Sequence, residues 1–384
     1  MRIFLVARGC PAIGDPQWGN FELDQARALT KLGNQVTILY IDGRFRLSNW
    51  KEFGIRRYTV TGINYVGSFF LPSKMISWIG LRLFRELRSK QLDVVYKKAT
   101  KLFGTPDVIY AHYMHNIAYA VSLKEKFGVP LVGIEHWSNL NKDELTAKER
   151  YYGEIAYTGA DKLIAVSDSL RGKILKHFGK ESIVVNNMVG EIFFRNNSVV
   201  KHLGNCTKLV SVGSLIHRKG FDLLIDALHS ISNTLSCWEL NIVGDGQDKN
   251  TLVELANKYK LENHIHFLGK KNQQEIIDIL KASDAFVLAS RAETFGVVYV
   301  EALSLGLPVI ATSCGGPEEF VHDGNGILIP TNDVKALTTA LYTMLDTVNS
   351  YDRVAIAEEC QKRFSPDVIG KKLSELLSDA IHKS

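Results

Sequence analysis

The 384-residue chain has no stretch approaching the ~18 uninterrupted apolar residues that a spanning helix needs. Its opening run, Met1-Arg2-Ile3-Phe4-Leu5-Val6-Ala7, is too short for a signal peptide and is followed by Arg8-Gly9. Five cysteines, Cys10, Cys206, Cys237, Cys314 and Cys360, are odd in number and scattered. They lack the paired spacing of a disulfide framework or a zinc site and fit a reducing compartment. The expectation is a cytoplasmic protein, with the inner face of a membrane as the alternative station. There is no short repeat, no low-complexity segment and no nucleic-acid recognition motif, so nucleic acid is not an expected partner.

What is present is an ordinary globular composition, 46% hydrophobic and 23% charged, with length enough for two domains. The net charge of +5 hides an asymmetry. Residues 1–190 carry 27 Lys/Arg against 17 Asp/Glu, or +10; residues 191–384 carry 19 against 24, or −5. Residues 51–101 hold 11 basic and 3 acidic side chains, a one-sided field that concentrates anionic partners. Within this stretch residues 74–90 have helical periodicity. At about 100° per residue, Ile76, Ile79, Leu83 and Leu87 share a face, with Arg82, Arg85 and Arg88 largely away from it. Two readings stand. One is a helix on an anionic membrane, giving a peripheral contact through residues 51–101. The other is a core helix with a solvated basic face.

Short β-branched runs alternate with helical stretches in both halves, which predicts parallel sheets covered by helices. In the first half, strands are expected at 3–6, 35–41, 108–111, 131–134, 163–166 and 183–185, with a helix over 21–32 ended by Gly33-Asn34. In the second they are expected at 209–212, 240–243, 264–268, 285–288, 309–311 and 326–329. Residues 195–207 read as the linker between two domains, 1–190 and 191–365. Ligands of open α/β sheets bind beyond the carboxyl ends of the strands, so the loops after both first strands are expected in a cleft.

The densest chemistry lies in Glu293-Thr294-Phe295-Gly296-Val297-Val298-Tyr299-Val300-Glu301, with Gly306-Leu307-Pro308 behind it. A helix starting near Gly296 would present free amides and roughly half a positive charge to an anion. Glu293 then sits in the loop before that helix and Glu301 about one turn into it. A diphosphate on the helix end would have a carboxylate on each side, each able to accept hydrogen bonds from sugar hydroxyls. That geometry suits a nucleotide sugar; the plain alternative is two solvated glutamates. The strand at 209–212 leads into Gly213-Ser214-Leu215-Ile216-His217-Arg218-Lys219-Gly220. Small residues there allow close backbone approach, and two adjacent cations suit a diphosphate; a basic turn in solvent is the alternative. Val243-Gly244-Asp245-Gly246 and His266-Phe267-Leu268-Gly269-Lys270 end further strands, and Cys314-Gly315-Gly316-Pro317-Glu318 is expected to enter a helix.

In this order the elements resemble the donor-binding domain of retaining, metal-independent glycosyltransferases of the two-domain GT-B class. The likeness is to glycosyltransferase family 4 (glycosyl transferases group 1) in particular, and runs from about Leu209 to Pro330. Its core is the run from Ala289 to Thr312 around Glu293 and Glu301. The resemblance implies an α/β protein of two Rossmann-like domains facing across a cleft, with the last helix, about 366–384, packing back on the first. It implies a nucleoside-diphosphate sugar as donor, with no metal or other cofactor. A manganese-dependent transferase would be expected to carry an Asp-x-Asp pair at a strand end, and none occurs.

By the same likeness Glu293 binds hydroxyls of the transferred sugar, and the amides of Phe295, Gly296 and Val297 hold sugar and diphosphate. Glu301 takes the ribose. Arg218 and Lys219 face the diphosphate with Gly213 close by, and the Gly269, Lys270 and Lys271 backbone lines the base. Many relatives carry Arg where this chain has Ser214, which leaves Arg218 to supply a guanidinium. In the first half, Gly19 of Trp18-Gly19-Asn20-Phe21-Glu22 stands where relatives have a Gly-rich loop, which implies that its backbone reaches the donor diphosphate; an ordinary helix entry is the alternative. His136 stands where the family often places a His facing the reacting sugar, and its neighbour Glu135 could point either way. Trp18, His112 and His115 are acceptor-side candidates or structural groups. The implied reaction moves a sugar to an acceptor hydroxyl with retention, the acceptor being a lipid-linked or surface-polysaccharide glycan. Three alternatives share the architecture: a nucleotide-sugar 2-epimerase, a phosphorylase marked by pyridoxal-phosphate absorbance, and a non-catalytic glycan- or partner-binding member.

Overall fold

A computed structural model of the chain describes residues 1–10, 19–42, 54–69, 79–195, 206–232 and 237–382. Trp18 and residues 74–78 lie outside these, as does most of the expected linker. The chain divides into two compact units. One is Met1–Met188 together with Pro366–Ser384, and the other is Val189–Ser365.

The strands of the first unit are β1 (Arg2–Ala7), β2 (Gln35–Asp42), β3 (Gly54–Val60), β4 (Ile63–Phe69), β5 (Val108–His112), β6 (Leu131–Glu135), β7 (Lys162–Ala165) and β8 (Ile183–Val184). They form one sheet in the order β3-β4-β2-β1-β5-β6-β7-β8, parallel except for the β3–β4 pair. Ile3 of β1 lies opposite Val36 of β2 and Val108 of β5. Ile3, Phe4, Leu5 and Val6 are all fully buried, because helices cover both faces of a parallel sheet. Those helices are α1 (Asn20–Lys31), α2 (Leu81–Phe103), α3 (Met114–Phe127), α4 (Ala147–Gly159) and α5 (Asp168–Phe178). Local chemistry sets their ends. Thr146 and Glu149 form a capping box at α4, and Ser167 caps α5 through the Leu170 amide. Left-handed Gly128 and Gly179 close α3 and α5.

The second unit contains β9 (Thr207–Val212), α6 (Phe221–Ile231), β10 (Trp238–Val243), α7 (Lys249–Lys258), β11 (Ile265–Gly269), α8 (Gln273–Lys281), β12 (Ala285–Val287), α9 (Val297–Ser304), β13 (Val309–Thr312), β14 (Gly326–Ile329), α10 (Val334–Thr347) and α11 (Arg353–Phe364). Its six strands run in the order β11-β10-β9-β12-β13-β14, all parallel. The chain then returns to the first unit as α12 (Pro366–His382). This helix buries Ile369, Leu373, Leu377 and Ala380 on one face. Lys31 meets Asp367 at 2.8 Å, and a Cβ added at Gly370 would sit 3.0 Å from the Ala28 methyl.

In each unit the strand order reverses beside the first strand, between β1 and β5 in one and between β9 and β12 in the other. The loops leaving those strand ends are where an open sheet offers its crevice. Arg8 and Tyr113 follow one pair; Gly213 and the loop to Glu293 follow the other.

Several expectations need correction. The β3–β4 hairpin is absent from the predicted strands; it turns through Thr61 and Gly62, both at positive φ, the backbone a two-residue hairpin favours. Of the expected amphipathic segment 74–90, the part from Leu81 onward is helical and the helix runs on to Phe103. Its buried face is Arg88, Ser89, Leu92, Val95, Tyr96 and Ala99, whereas Leu83 and Leu87 are exposed. Cys206 and Cys237, read as unpaired, are disulfide-bonded at the starts of neighbouring strands, their Cα atoms 4.6 Å apart. The segment after β13 forms only a short 3-10 turn, Pro317–Glu319, in place of a helix. Among the described residues no helix is long and apolar enough to cross a membrane.

Candidate functional site

In the second unit, backbone-to-backbone packing builds the site. A Cβ at Gly244 would meet the Gly213 carbonyl oxygen, one at Gly246 the Leu215 carbonyl and one at Gly220 the Ala289 carbonyl, all inside van der Waals contact. The loops after β9 and β10 and the loop before α9 are therefore pressed together by glycines. The signature loop is tied from three sides. The Arg291 amide donates to the Arg218 carbonyl at 2.7 Å, the Glu293 amide to the Cys314 carbonyl at 2.9 Å, and the Tyr299 hydroxyl to the Leu288 carbonyl at 2.8 Å.

This scaffold brings Lys219, Arg218 and Glu293 together. Lys219 Nζ lies 2.5 Å from Glu293 Oε1, Ser290 Oγ donates to the same oxygen at 2.8 Å, and Arg218 stands 3.6 Å from Oε2. Glu293 is 5% exposed, so its charge is balanced inside the protein rather than by solvent. Arg218 also donates to the Ala292 carbonyl at 2.9 Å. Arg291 forks onto Asp222 at 2.8 and 2.6 Å and reaches the His217 carbonyl at 2.5 Å, which anchors the cationic loop. Neither Arg291 nor Asp222 was singled out in the sequence.

Gly296 heads α9 at φ 89°, as expected of a helix starting there. An added Cβ would lie 2.8 Å from the buried Tyr299 ring, so the position requires glycine both sterically and conformationally. Phe295 is fully buried against Phe320 and Phe364, which fixes the turn. Glu301 lies on α9, half-buried. Ser214 is exposed, and Arg291 is committed to Asp222, so Arg218 and Lys219 are the cations of this loop nearest Glu293. Gly269 ends β11 at φ 69°; Lys271 pairs with Glu275 at 3.2 Å on the surface, and Lys270 is exposed beside it. The Gly315 amide is occupied by its own neighbour, Glu318, at 3.0 Å.

In the first unit the site is a buried polar cluster. The Arg8 guanidinium pairs with Glu22 of α1 at 3.0 Å and lies over the Tyr113 ring at 4.2 Å. His112 and His136 stack nearly parallel at 5.2 Å, and Tyr113 flanks His136 at 5.0 Å. Burial pushes the His112 imidazole down to about 4, against an opposing pull from Glu22. Burial, then His112 itself, pushes His136 well below its ordinary value, against an opposing pull from Glu22. Both rings are neutral at pH 7. Burial alone would raise the Glu22 carboxyl, but the Arg8 charge, the nearby His112 and the hydrogen bonds it accepts together outweigh it and bring it down to about 2. Both ring nitrogens of His112 lack a hydrogen-bond partner among the described residues. Gly19 begins α1 in the left-handed region, φ 88°, beside this cluster in sequence.

Glu135 explains how the cluster is held. Its Oε1 accepts from the His136 and Trp137 amides at 2.9 and 2.8 Å, and its Oε2 from the Met114 amide at 2.8 Å and the Tyr157 hydroxyl at 2.7 Å. Tyr113 carries φ 68°, an unfavourable backbone for a non-glycine residue. Its neighbours Met114 and His136 are thus tied to one carboxylate. His115 stands apart from His112, packed against Trp137 and Tyr152 at 5.0 and 4.5 Å, and burial takes it down to about 4. Arg8, Glu22 and Tyr113 were missed as site residues because each comes from a different element, with no spacing to link them.

Two family models match the chain. One described as glycosyl transferases group 1 covers residues 195–359, and one described as glycosyltransferase family 4 covers residues 20–189. An uncharacterized glycosyltransferase of Methanocaldococcus jannaschii is 31% identical over 281 residues, 71% of this chain and 76% of that one. A putative colanic acid biosynthesis glycosyltransferase of Salmonella typhimurium is 26% identical over 394 residues, covering 93% and 95% of the two chains. The solved structure of Anabaena HepE in complex with UDP superposes with a TM-score of 0.75 at 21% identity, over 99% of this chain and all of that one. That likeness carries the GT-B fold.

Proposed function

We propose, from the premise that this chain belongs to the glycosyltransferases, with GT-B architecture, that it moves a sugar from a nucleoside diphosphate to an acceptor hydroxyl with retention of anomeric configuration. The observation that carries the reading is the Glu293 carboxylate held by Lys219, Ser290 and Arg218 just before the glycine-headed helix α9. The two cations and the amides of Phe295, Gly296 and Val297 at the head of α9 would hold the diphosphate, supplying preorganised stabilisation without a metal. Glu293 would take sugar hydroxyls, Glu301 the ribose, and the Gly269–Lys271 backbone the base. Gly244, pressed against the Gly213 carbonyl, donates its amide to the Gly269 carbonyl at 3.0 Å and so ties that backbone to the loop after β9.

In this reading the bond from the anomeric carbon to the phosphate oxygen breaks as the acceptor oxygen bonds to the same carbon. The acceptor proton passes to a leaving phosphate oxygen. His136, neutral at pH 7, serves the sugar as a hydrogen-bonding group rather than as a cation. The unsatisfied nitrogens of His112 are suited to hydroxyls in the same way. The proposed acceptor is a lipid-linked or surface-polysaccharide glycan; the Salmonella relative, named for colanic acid biosynthesis, supports this. So does α2, whose exposed face combines Leu83, Leu87 and Val94 with Lys90, Lys97 and Lys101, a pattern suited to an anionic membrane.

Calorimetry with UDP, GDP and ADP in the absence of metal tests the donor site, with Glu301→Ala as control. Selective binding of one nucleotide, weakened in the variant, supports the assignment. Binding of none, with the chain folded, removes it.

A further inference from the structure

Beyond His136 a row of aromatic rings, half-exposed except for the buried Tyr152, runs away from the reacting position, and no role in donor binding uses it. Trp137 meets His115 edge-on at 5.0 Å, His115 lies 4.5 Å from Tyr152, and Tyr152 lies 5.4 Å from Tyr151. The Tyr151 hydroxyl accepts from Arg85 Nε at 3.2 Å, which leaves both terminal nitrogens of Arg85 without a partner among the described residues. The row draws on the starts of α2, α3 and α4 and on the turn after β6, all at the carboxyl edge of one sheet. Glu135 fixes its near end, since the same carboxylate oxygen holds the His136 and Trp137 amides.

We propose that Trp137, His115 and Tyr151 form an acceptor subsite for a saccharide ring, and that Arg85 receives an anionic group carried by that saccharide. The inference rests on the transferase reading above and adds the acceptor's chemistry to it. Aromatic faces bind the apolar C–H face of a sugar, while their polar tips and the surrounding water serve its hydroxyls. A guanidinium fork fits a phosphate or carboxylate and does nothing comparable for a neutral sugar. The local charge agrees: Arg82 and Lys148 are exposed nearby, Glu86 is paired with Arg82 at 3.3 Å, and Glu149 is turned into its capping box. The row is also dry enough for packing to matter, as Tyr152 is fully buried and His115 is held neutral by burial.

Saturation-transfer NMR on the full chain, with saturating nucleoside diphosphate present, tests this with three probes. Methyl glucoside is neutral, methyl glucuronide carries a carboxylate and glucose 6-phosphate carries a phosphate. The two acidic probes are expected to bind more tightly than the neutral one. Trp137→Ala should weaken all three by about tenfold, Trp137→Phe should restore most of that, and Arg85→Gln should erase only the preference for charge. Whichever acidic probe leads identifies the anion. Equal binding of all probes by wild type, Trp137→Ala and Arg85→Gln overturns the subsite. Nucleotide binding is measured alongside by calorimetry. If nucleotide binds but no probe does, the subsite falls and the donor reading stands. If probes bind through Trp137 and no nucleotide does, the donor reading falls instead.

Discussion

Lys219 is asked to do two things at the residue scale, since it neutralises Glu293 in the free protein and would also face a diphosphate. Lys219→Ala removes the 2.5 Å contact and leaves Glu293 with Ser290 and a more distant Arg218. Nucleotide affinity should fall by at least about tenfold, in line with the loss of one charge-assisted contact. Glu293→Gln keeps the shape, so nucleotide binding should change by less than about threefold while turnover drops ~10²-fold or more. Calorimetry and a transfer assay read the two effects separately, and equal effects of both variants on nucleotide binding would contradict the division of labour. The first-unit cluster makes a pH prediction. Between pH 6.5 and about 4 the unfolded chain binds a proton at His112 that the folded chain refuses. Acidification through that window removes stability, on the order of 3 kcal/mol by its lower end. Glu22 adds a second loss lower down, because its pKa of about 2 lies below the 4.5 of the unfolded chain. Its stabilisation is full above about 4.5 and disappears as the pH falls toward 2. Thermal melts from pH 7 to 5 should show a shallower decline for His112→Asn than for wild type.

At the scale of elements, α9 gives a sharp case. Gly296→Ala must hold φ 89° with a Cβ 2.8 Å from Tyr299, whose hydroxyl is pinned to the Leu288 carbonyl. The expected cost is about 2 kcal/mol or more, visible as a lower melting temperature together with weaker nucleotide binding. If α2 meets anionic lipid, wild type should co-sediment with phosphatidylglycerol vesicles at low salt, and Leu83→Ser/Leu87→Ser should not; no sedimentation of wild type ends that idea. These two helices also mark the limits of reading the sequence. The head of α9 was legible because Gly296, the spacing of Glu293 and Glu301, and the trailing apolar run all point to one helix start. The periodicity of α2 was visible, but the face it buries was not. Leu83 and Leu87 share a stripe with the exposed Val94, while burial follows Leu92, Val95 and Ala99 and takes Arg88 inside with Gln91 2.8 Å away. Helical spacing defines a stripe; only the partner surfaces decide which stripe is covered. The β3–β4 hairpin escaped for a related reason, since β3 exposes Arg56, Arg57 and Thr59 and is no more than half-buried at its other positions, so no apolar alternation announces it.

For the molecule as a whole, the division of charge follows the units. The first unit holds 30 Lys/Arg against 20 Asp/Glu, +10, once the three bases and three acids of 366–384 are added to residues 1–188. The second holds the remaining 16 against 21, −5. The terminal helix thus leaves the balance untouched, and its contribution to the first unit is packing. Ile369 and Leu373 are fully buried, as is Leu377, and Ala380 nearly so. Each large side chain is worth roughly 1.5–3 kcal/mol of burial, so their sum rivals the ~5–15 kcal/mol that holds a typical domain together. A chain ending at Ser365 should therefore lose the first unit's cooperative transition in calorimetry. The transition that nucleotide shifts upward should remain, because the cations and α9-head amides assigned to the diphosphate lie in Val189–Ser365. A truncated chain with both transitions intact would show that α12 is dispensable to the first unit. Loss of the nucleotide-dependent shift, with the second transition retained, would show that donor binding draws on groups outside that unit.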